Sequence, residues 1–281
     1  MTHMPIDALE KLLAEDVPYG DLTTDALGIG NERGRISFAA RNAMVVAAIE
    51  EANAILGLAG VDTTVKVRSG DAVDPGTPLL TGEGSARALH RAWKVAQTLV
   101  ETWSGVATAT RMLVSAARAV RPDIVVACTR KNVPGTKALS IAAIRAGGAV
   151  AHRLGLSETI LVFPEHRVFR INPDLTLMVR ELRAHAPEKK LVIEVNSVSE
   201  GVAAATAGFD VIQTEKFAPD KVAELASAMA SMVPRPAIAA AGGINPDNAA
   251  AYVRASADVL VTSWPYSARP ADVAVAITRA T

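Results

Sequence analysis

Six short apolar runs, at 124–128, 160–163, 191–195, 211–213, 237–241 and 259–263, alternate with stretches of helical periodicity through the C-terminal part of the chain. Near-continuous apolar strands that alternate with helices form a parallel sheet covered on its outside. A doubly wound sheet and a barrel both satisfy the pattern. Polar residues at nearly every strand end favour a barrel with its chemistry at one rim. Each run is expected to lead into a helix, giving six βα units.

The N-terminal residues follow other rules. Ile6, Leu9, Leu12 and Leu13 recur at helical spacing, and Pro18-Tyr19-Gly20-Asp21 is a turn. Strand character at 34–41 and 44–48 is followed by a helix over 50–58 that Gly60 stops. From Thr63 the turn residues Ser69-Gly70-Asp71 and Asp74-Pro75-Gly76 predict an antiparallel meander. Two helices are expected next, Ala86–Trp103 and Gly105–Val120, closing a small α+β domain.

Composition narrows the partners. Lys plus Arg and Asp plus Glu both number 29, so there is no general attraction to nucleic acid or to an anionic membrane. Half the residues are hydrophobic, which excludes disorder. Cys128 is the only cysteine, which rules out an intramolecular disulfide, argues against a Cys-based zinc site, and suits a reducing cytoplasm. No apolar stretch approaches the roughly 18 residues of a spanning helix, and Asp7, Glu10 and Lys11 interrupt any signal-peptide core.

Charge is nevertheless segregated. Between Asp123 and Glu158 there is no acidic residue, whereas Arg130, Lys131, Lys137, Arg145, His152 and Arg153 all fall there. Arg145 and Lys137 read as a solvated helix face. Arg130 and Lys131 directly follow an apolar strand and read as an anion site. Glu194 lies within one strand and Glu215 ends the next; such carboxylates could bind Mg²⁺, accept from sugar hydroxyls, or form salt bridges. In 240–247 a strand, the pair Gly242-Gly243, a cap at Asn245 and Pro246 at a helix start make a phosphate seat. Cys128 reads as a small buried hydrophobe. His90, His166 and His185 default to structural or surface roles, and Trp93, Trp103 and Trp264 to packing.

These residues together are similar to those of a known family. Residues 15–23 (Glu-Asp-Val-Pro-Tyr-Gly-Asp-Leu-Thr), 104–108 (Ser-Gly-Val-Ala-Thr), Thr129-Arg130-Lys131 with Pro134-Gly135, Gly147-Gly148, His152 to Leu156, Glu194 and Gly242-Gly243 resemble the quinolinate phosphoribosyltransferase family, the carboxylating nicotinate-nucleotide pyrophosphorylases. Pro18-Tyr19-Gly20-Asp21, residues 134–137 and residues 261–266 are similar to its ModD branch, named for an association with molybdenum transport. The resemblance implies an α/β fold with an N-terminal α/β sandwich domain at 1–104 and an incomplete, TIM-like α/β barrel at 105–281. It implies a ring nitrogen that displaces pyrophosphate from 5-phosphoribosyl-1-pyrophosphate (PRPP) with Mg²⁺ present. It also implies a homodimer with shared active sites.

In that pattern Arg130, His152 and Arg153 face the carboxylates of a heterocyclic or aromatic acid. Lys131, Glu194 and Glu215 serve PRPP and its metal, and Gly242, Gly243 and Asn245 the 5-phosphate. Three departures stand out. Phe163-Pro164-Glu165-His166 replaces Lys-Asp-Asn-His, so a substrate-binding lysine becomes Phe163. Lys94 replaces the arginine that crosses the dimer, with Arg87 and Arg91 on the same helical face. Thr214-Glu215-Lys216-Phe217 replaces Leu-Asp-Asn-Phe. Loss of a cation would leave a second carboxylate underpaired, which argues against quinolinate itself. A non-catalytic phosphate- or oxyanion-binding protein linked to molybdenum transport is the alternative, with a different phosphate-handling barrel enzyme third.

Overall fold

The computed structural model describes residues 4–171 and 174–280. Its helices and strands run in the order α1 (Ile6–Asp16), α2 (Leu22–Ala26), β1 (Arg33–Ala40), β2 (Met44–Val45), α3 (Ile49–Leu58), β3 (Asp62–Val65), β4 (Ala72–Val73), β5 (Pro78–Ser85), α4 (Ala86–Arg118), β6 (Val125–Cys128), α5 (Lys137–Ala146), β7 (Val150–Ala151) and β8 (Ile160–Val162). They continue as α6 (Pro164–Arg167), α7 (Leu175–His185), β9 (Leu191–Val195), α8 (Val198–Ala207), β10 (Val211–Glu215), α9 (Pro219–Ala228), β11 (Ala237–Ala241), α10 (Pro246–Arg254), β12 (Val259–Thr262) and β13 (Val273–Arg279). Backbone proximity divides the chain into two units. One comprises 1–111, 132–148 and 265–281, and the other 112–131 and 149–264.

The first unit is built on an antiparallel sheet ordered β13-β1-β5-β3. Along β1, Ile36, Phe38 and Ala40 are buried and alternate with more exposed residues, so the strand gives one face to a core. Leu9 and Leu13 of α1, Ile55 and Leu56 of α3, and Leu89, Ala92 and Ala96 of α4 complete that core. The expected meander is not formed, because β4 pairs with β2 in a separate ribbon while β3 pairs with β5. The edge strand β13, grouped by sequence with the barrel, pairs with β1 from Gly34↔Arg279 to Ala40↔Val273.

Gly105 does not divide two helices as expected, because α4 runs unbroken for 33 residues. Its glycine serves a close approach: a Cβ there would lie 2.2 Å from the Arg269 carbonyl oxygen.

The second unit is an all-parallel, seven-stranded sheet ordered β7-β6-β12-β11-β10-β9-β8. That order is the chain order taken cyclically, with one break between β7 and β8. A doubly wound sheet would reverse direction at a switch point, so the sheet is an incomplete barrel. Helices α7 to α10 pack against β9 to β12. The six expected strands are present, and β7, two residues long, was too short to stand out as an apolar run. After β12 a short 3₁₀ turn at Trp264–Ser267 replaces the expected sixth helix, with Pro265 and Pro270 on the path. Among the described residues no helix is long and apolar enough to cross a membrane.

The Gly105 contact makes a prediction opposite to helix propensity. Gly105→Ala would stabilise an unconstrained helix by about 1 kcal/mol. Here it should instead lower the melting temperature by several degrees, since overpacking costs about 1–3 kcal/mol. Thermal unfolding followed by circular dichroism checks the sign.

Candidate active site

All seven strands of the open barrel contribute their C-terminal ends to a single cavity of about 550 Å³. Arg130 and Lys131 follow β6, His152 and Arg153 follow β7, and Phe163 follows β8. Glu194 lies in β9, Gln213 and Glu215 in β10, Gly242 to Asn245 follow β11, and Thr262 to Trp264 close the circuit. Ten of the eleven residues expected from sequence therefore line one cavity: Arg130, Lys131, His152, Arg153, Phe163, Glu194, Glu215, Gly242, Gly243 and Asn245.

The first sector is cationic. Arg153 is only 7% exposed, and no ion pair or hydrogen bond to its guanidinium occurs among the described residues. Burial, and then the charge of Arg130, lower its pKa. His152 is anchored by its backbone N–H, which donates to the Cys128 carbonyl at 2.8 Å. Burial and then Arg153 push the imidazole below its ordinary value, favouring its neutral form. Cys128 is fully buried and pushed up to about 12 by desolvation, so it is inert as a nucleophile.

Phe163 faces this sector from the other edge of the sheet. The Arg153 guanidinium carbon lies 5.7 Å from its ring centroid, within cation–π range. His166 stacks against Phe163 at 5.7 Å with planes 20° apart, and its Nδ1 accepts the Phe163 N–H at 2.9 Å. Pro164 starts the one-turn helix α6 that returns His166 to Phe163. His166 thus supports the site, a role its isolated position in the sequence did not reveal.

The second sector is acidic. Glu194 and Gln213 are register partners, and Gln213 Nε2 donates to Glu194 Oε2 at 2.7 Å. Arg167 donates to the Glu194 carbonyl at 3.2 Å and pairs with Glu200, which also accepts the Asn196 N–H at 2.8 Å. The end of β9 is thereby fixed. Burial raises the pKa of Glu194; the Gln213 hydrogen bond lowers it, Glu215 and Glu165 raise it, and Lys131 lowers it. Glu215 has Lys216 Nζ 3.4 Å away. Gln213 went unnoticed in the sequence, although it lies two residues before Glu215 and so on the same strand face.

The third sector is backbone. Gly242 and Gly243 have φ of +91° and +74°, and a Cβ on Gly242 would lie 2.6 Å from Lys216 Cγ. Both conformations favour glycine, and at Gly242 the close approach of Lys216 leaves no room for a side chain. Asn245 accepts from the N–H groups of Asp247 and Asn248 at 2.9 and 3.3 Å, while Asn248 Oδ1 accepts the Asn245 N–H at 2.9 Å. The start of α10 is closed by these reciprocal caps.

Lys94 is the eleventh residue and does not line the cavity. In the first unit its Nζ lies 4.0 Å from the Trp93 ring centroid and donates to Gln97 Oε1 at 2.9 Å. Its neighbour Arg87 pairs with Asp25 at 2.7 Å, so the helix face is not a row of three free cations. Lys137 and Arg145 are exposed and lie outside the cavity, as expected of a solvated face.

Comparison with known proteins decides the family. The quinolinate phosphoribosyl transferase C-terminal domain model matches residues 106–276 and the N-terminal domain model residues 21–104. The chain belongs to the quinolinate phosphoribosyltransferase family. A Rhodobacter capsulatus family member named "Putative pyrophosphorylase ModD" is 49% identical over 245 residues, covering 86% of this chain and 93% of its own. The carboxylating nicotinate-nucleotide pyrophosphorylase of Mycobacterium leprae is 32% identical, covering 95% of each chain. The crystal structure of NadC from Streptococcus pyogenes superposes with a TM-score of 0.87 at 26% identity, covering 98% of this chain and 96% of that one.

The raised pKa of Glu194 carries a stability consequence for this family member. A fold that raises a carboxyl pKa favours the protonated form, so its cost is absent below the ordinary value of 4.5 and complete above the raised value. Glu194→Gln should therefore raise the melting temperature at neutral pH, and the advantage should close as pH falls toward 4.5. A melting temperature at or below wild type at neutral pH would contradict the electrostatic account.

Proposed function

We propose that this protein is a Mg²⁺-dependent phosphoribosyltransferase that joins the phosphoribosyl group of PRPP to a ring nitrogen of a heterocyclic or aromatic acid, releasing pyrophosphate. One observation carries the reading. The cavity rim holds, in strand order, a cationic and aromatic sector, a carboxylate sector and a glycine loop, the chemistry needed for a carboxylate on a ring, a ribosyl group and a phosphate. Arg130 and Arg153 offer forks to the acid, and the Phe163 face stacks on its ring. Gly242 to Ile244, ahead of the capped helix start, admit the 5-phosphate to backbone N–H groups. Lys131 faces the negative charge of PRPP.

As the C–O bond to pyrophosphate breaks, positive charge develops at the ribosyl carbon, and in this scheme Glu194 and Glu215 stabilise it. These two also fit a hard divalent cation. They repel one another, and the absence of any cluster of three ligating side chains among the described residues suits an ion that keeps waters and binds mainly through substrate phosphates. Bound there, Mg²⁺ would neutralise the departing pyrophosphate. The reading includes cytoplasmic location and a homodimer in which Lys94 reaches the partner's site.

Quinolinate is a poor acceptor in this scheme, because Phe163 supplies a stacking wall where a second carboxylate needs a cation. Calorimetry should show PRPP binding that Mg²⁺ strengthens. Lys131→Ala should weaken it about tenfold or more, the scale of one charge-assisted hydrogen bond. An acceptor screen for pyrophosphate release should favour aromatic acids with one carboxylate, and Phe163→Lys should improve quinolinate binding. Phosphate or molybdate binding without PRPP binding at millimolar concentration would replace the transferase by a non-catalytic oxyanion-binding protein.

A further inference from the structure

Beyond the residues that the reaction requires, we propose that Gln213 reads the sugar: its Oε1 accepts a ribosyl hydroxyl beside Glu194 and selects ribose over deoxyribose. The inference rests on the phosphoribosyl reading above. Gln213 is 4% exposed yet lines the cavity, and its amide is oriented by chemistry. Nε2 donates to Glu194 Oε2 at 2.7 Å, whereas the flipped amide would set acceptor against acceptor. Oε1 is left buried, with no hydrogen-bond partner among the described residues.

A buried orphan acceptor is costly, and an apolar side chain of the same length would fill the place without that cost. We take the missing donor to come from the cavity that Gln213 lines. On the neighbouring strand the register partner of Gln213 is Ala239, whose methyl group supplies none.

The donor's chemistry follows from the surroundings. Glu194, Gln213 and Glu215 present carboxylate and amide oxygens from adjacent strands, a wall of acceptors. A carboxylate brings no donor to it at neutral pH and a phosphate ester is mostly ionised, but a sugar diol brings two donors. The wall also lies between the glycine loop after β11 and Phe163 after β8, where the ribosyl part of a phosphoribosyl ligand falls once its phosphate is seated. A third carboxylate in place of Gln213 would add to the repulsion on Glu194. The amide accepts without charge and holds Glu194 in place.

The test compares ribose 5-phosphate with its 2-deoxy and 3-deoxy analogues by calorimetry, on wild type and Gln213→Met, with inorganic phosphate as the control. Wild type should prefer ribose 5-phosphate to at least one analogue by about tenfold or more, the discrimination expected when a buried polar group loses its partner. Gln213→Met should cut that preference to about twofold by weakening the ribose ligand, leaving phosphate binding unchanged. Gln213→Asn, which keeps the amide but shortens it, should do the same, and thermal unfolding confirms that both variants fold. An unaltered preference in both variants overturns the role of Gln213. Wild type that binds phosphate but neither PRPP nor ribose 5-phosphate overturns the transferase reading and this inference together.

Discussion

Arg153 is a buried cation without an anion. Its guanidinium is beside Arg130 and a His152 that favours the neutral form, and no carboxylate pairs with it among the described residues. An unpaired buried charge costs several kcal/mol, and in the proposed function the incoming acid supplies the missing anion. Its one notable contact is the face of Phe163, and that contact has architectural weight. Arg153 follows β7 and Phe163 follows β8, the two edges at which the barrel is open. That contact links the strand ends on either side of the gap that the sheet leaves unpaired.

The rest of the rim extends this separation of charge. A chain with no net charge gathers cations on one arc and carboxylates on the next, and neighbouring side chains hold each arc in place. His166 fixes Phe163 through its ring and Nδ1, Arg167 and Glu200 fix the end of β9, and reciprocal Asn245 and Asn248 caps fix the loop after Gly243. Such supports keep groups in place that repel one another, as Glu194 and Glu215 do. The cost in stability is the usual companion of a preorganised polar site.

Much of this was legible in the sequence where a residue's signal is local. Apolar runs revealed six barrel strands, the acid-free stretch revealed the cationic sector, and Gly-Gly-Ile-Asn-Pro revealed a loop entering a helix. What escaped depends on pairing across distance. The strand β13 has a plain period-two pattern, but only its pairing with β1 gives it a place in the first sheet. Gly105 looks like a helix stop until the Arg269 carbonyl that faces it is known. The cyclic strand order, which separates an open barrel from a doubly wound sheet, exists only in the sheet. Gln213 and His166 acquire roles through Glu194 and Phe163, partners that lie 19 and 3 residues away and are joined to them by register and by a one-turn helix.

The central claim is that two ligands meet along the rim, PRPP with its 5-phosphate on the glycine loop and the acid between Arg130, Arg153 and Phe163. A crystal structure with PRPP bound tests it most directly. The account predicts the 5-phosphate against the backbone of Gly242 to Ile244 and the ribosyl group over Glu194, Gln213 and Glu215, with the arginine sector left open for the acid. A 5-phosphate seated instead on Arg130 and Arg153, with the glycine loop empty, would contradict it.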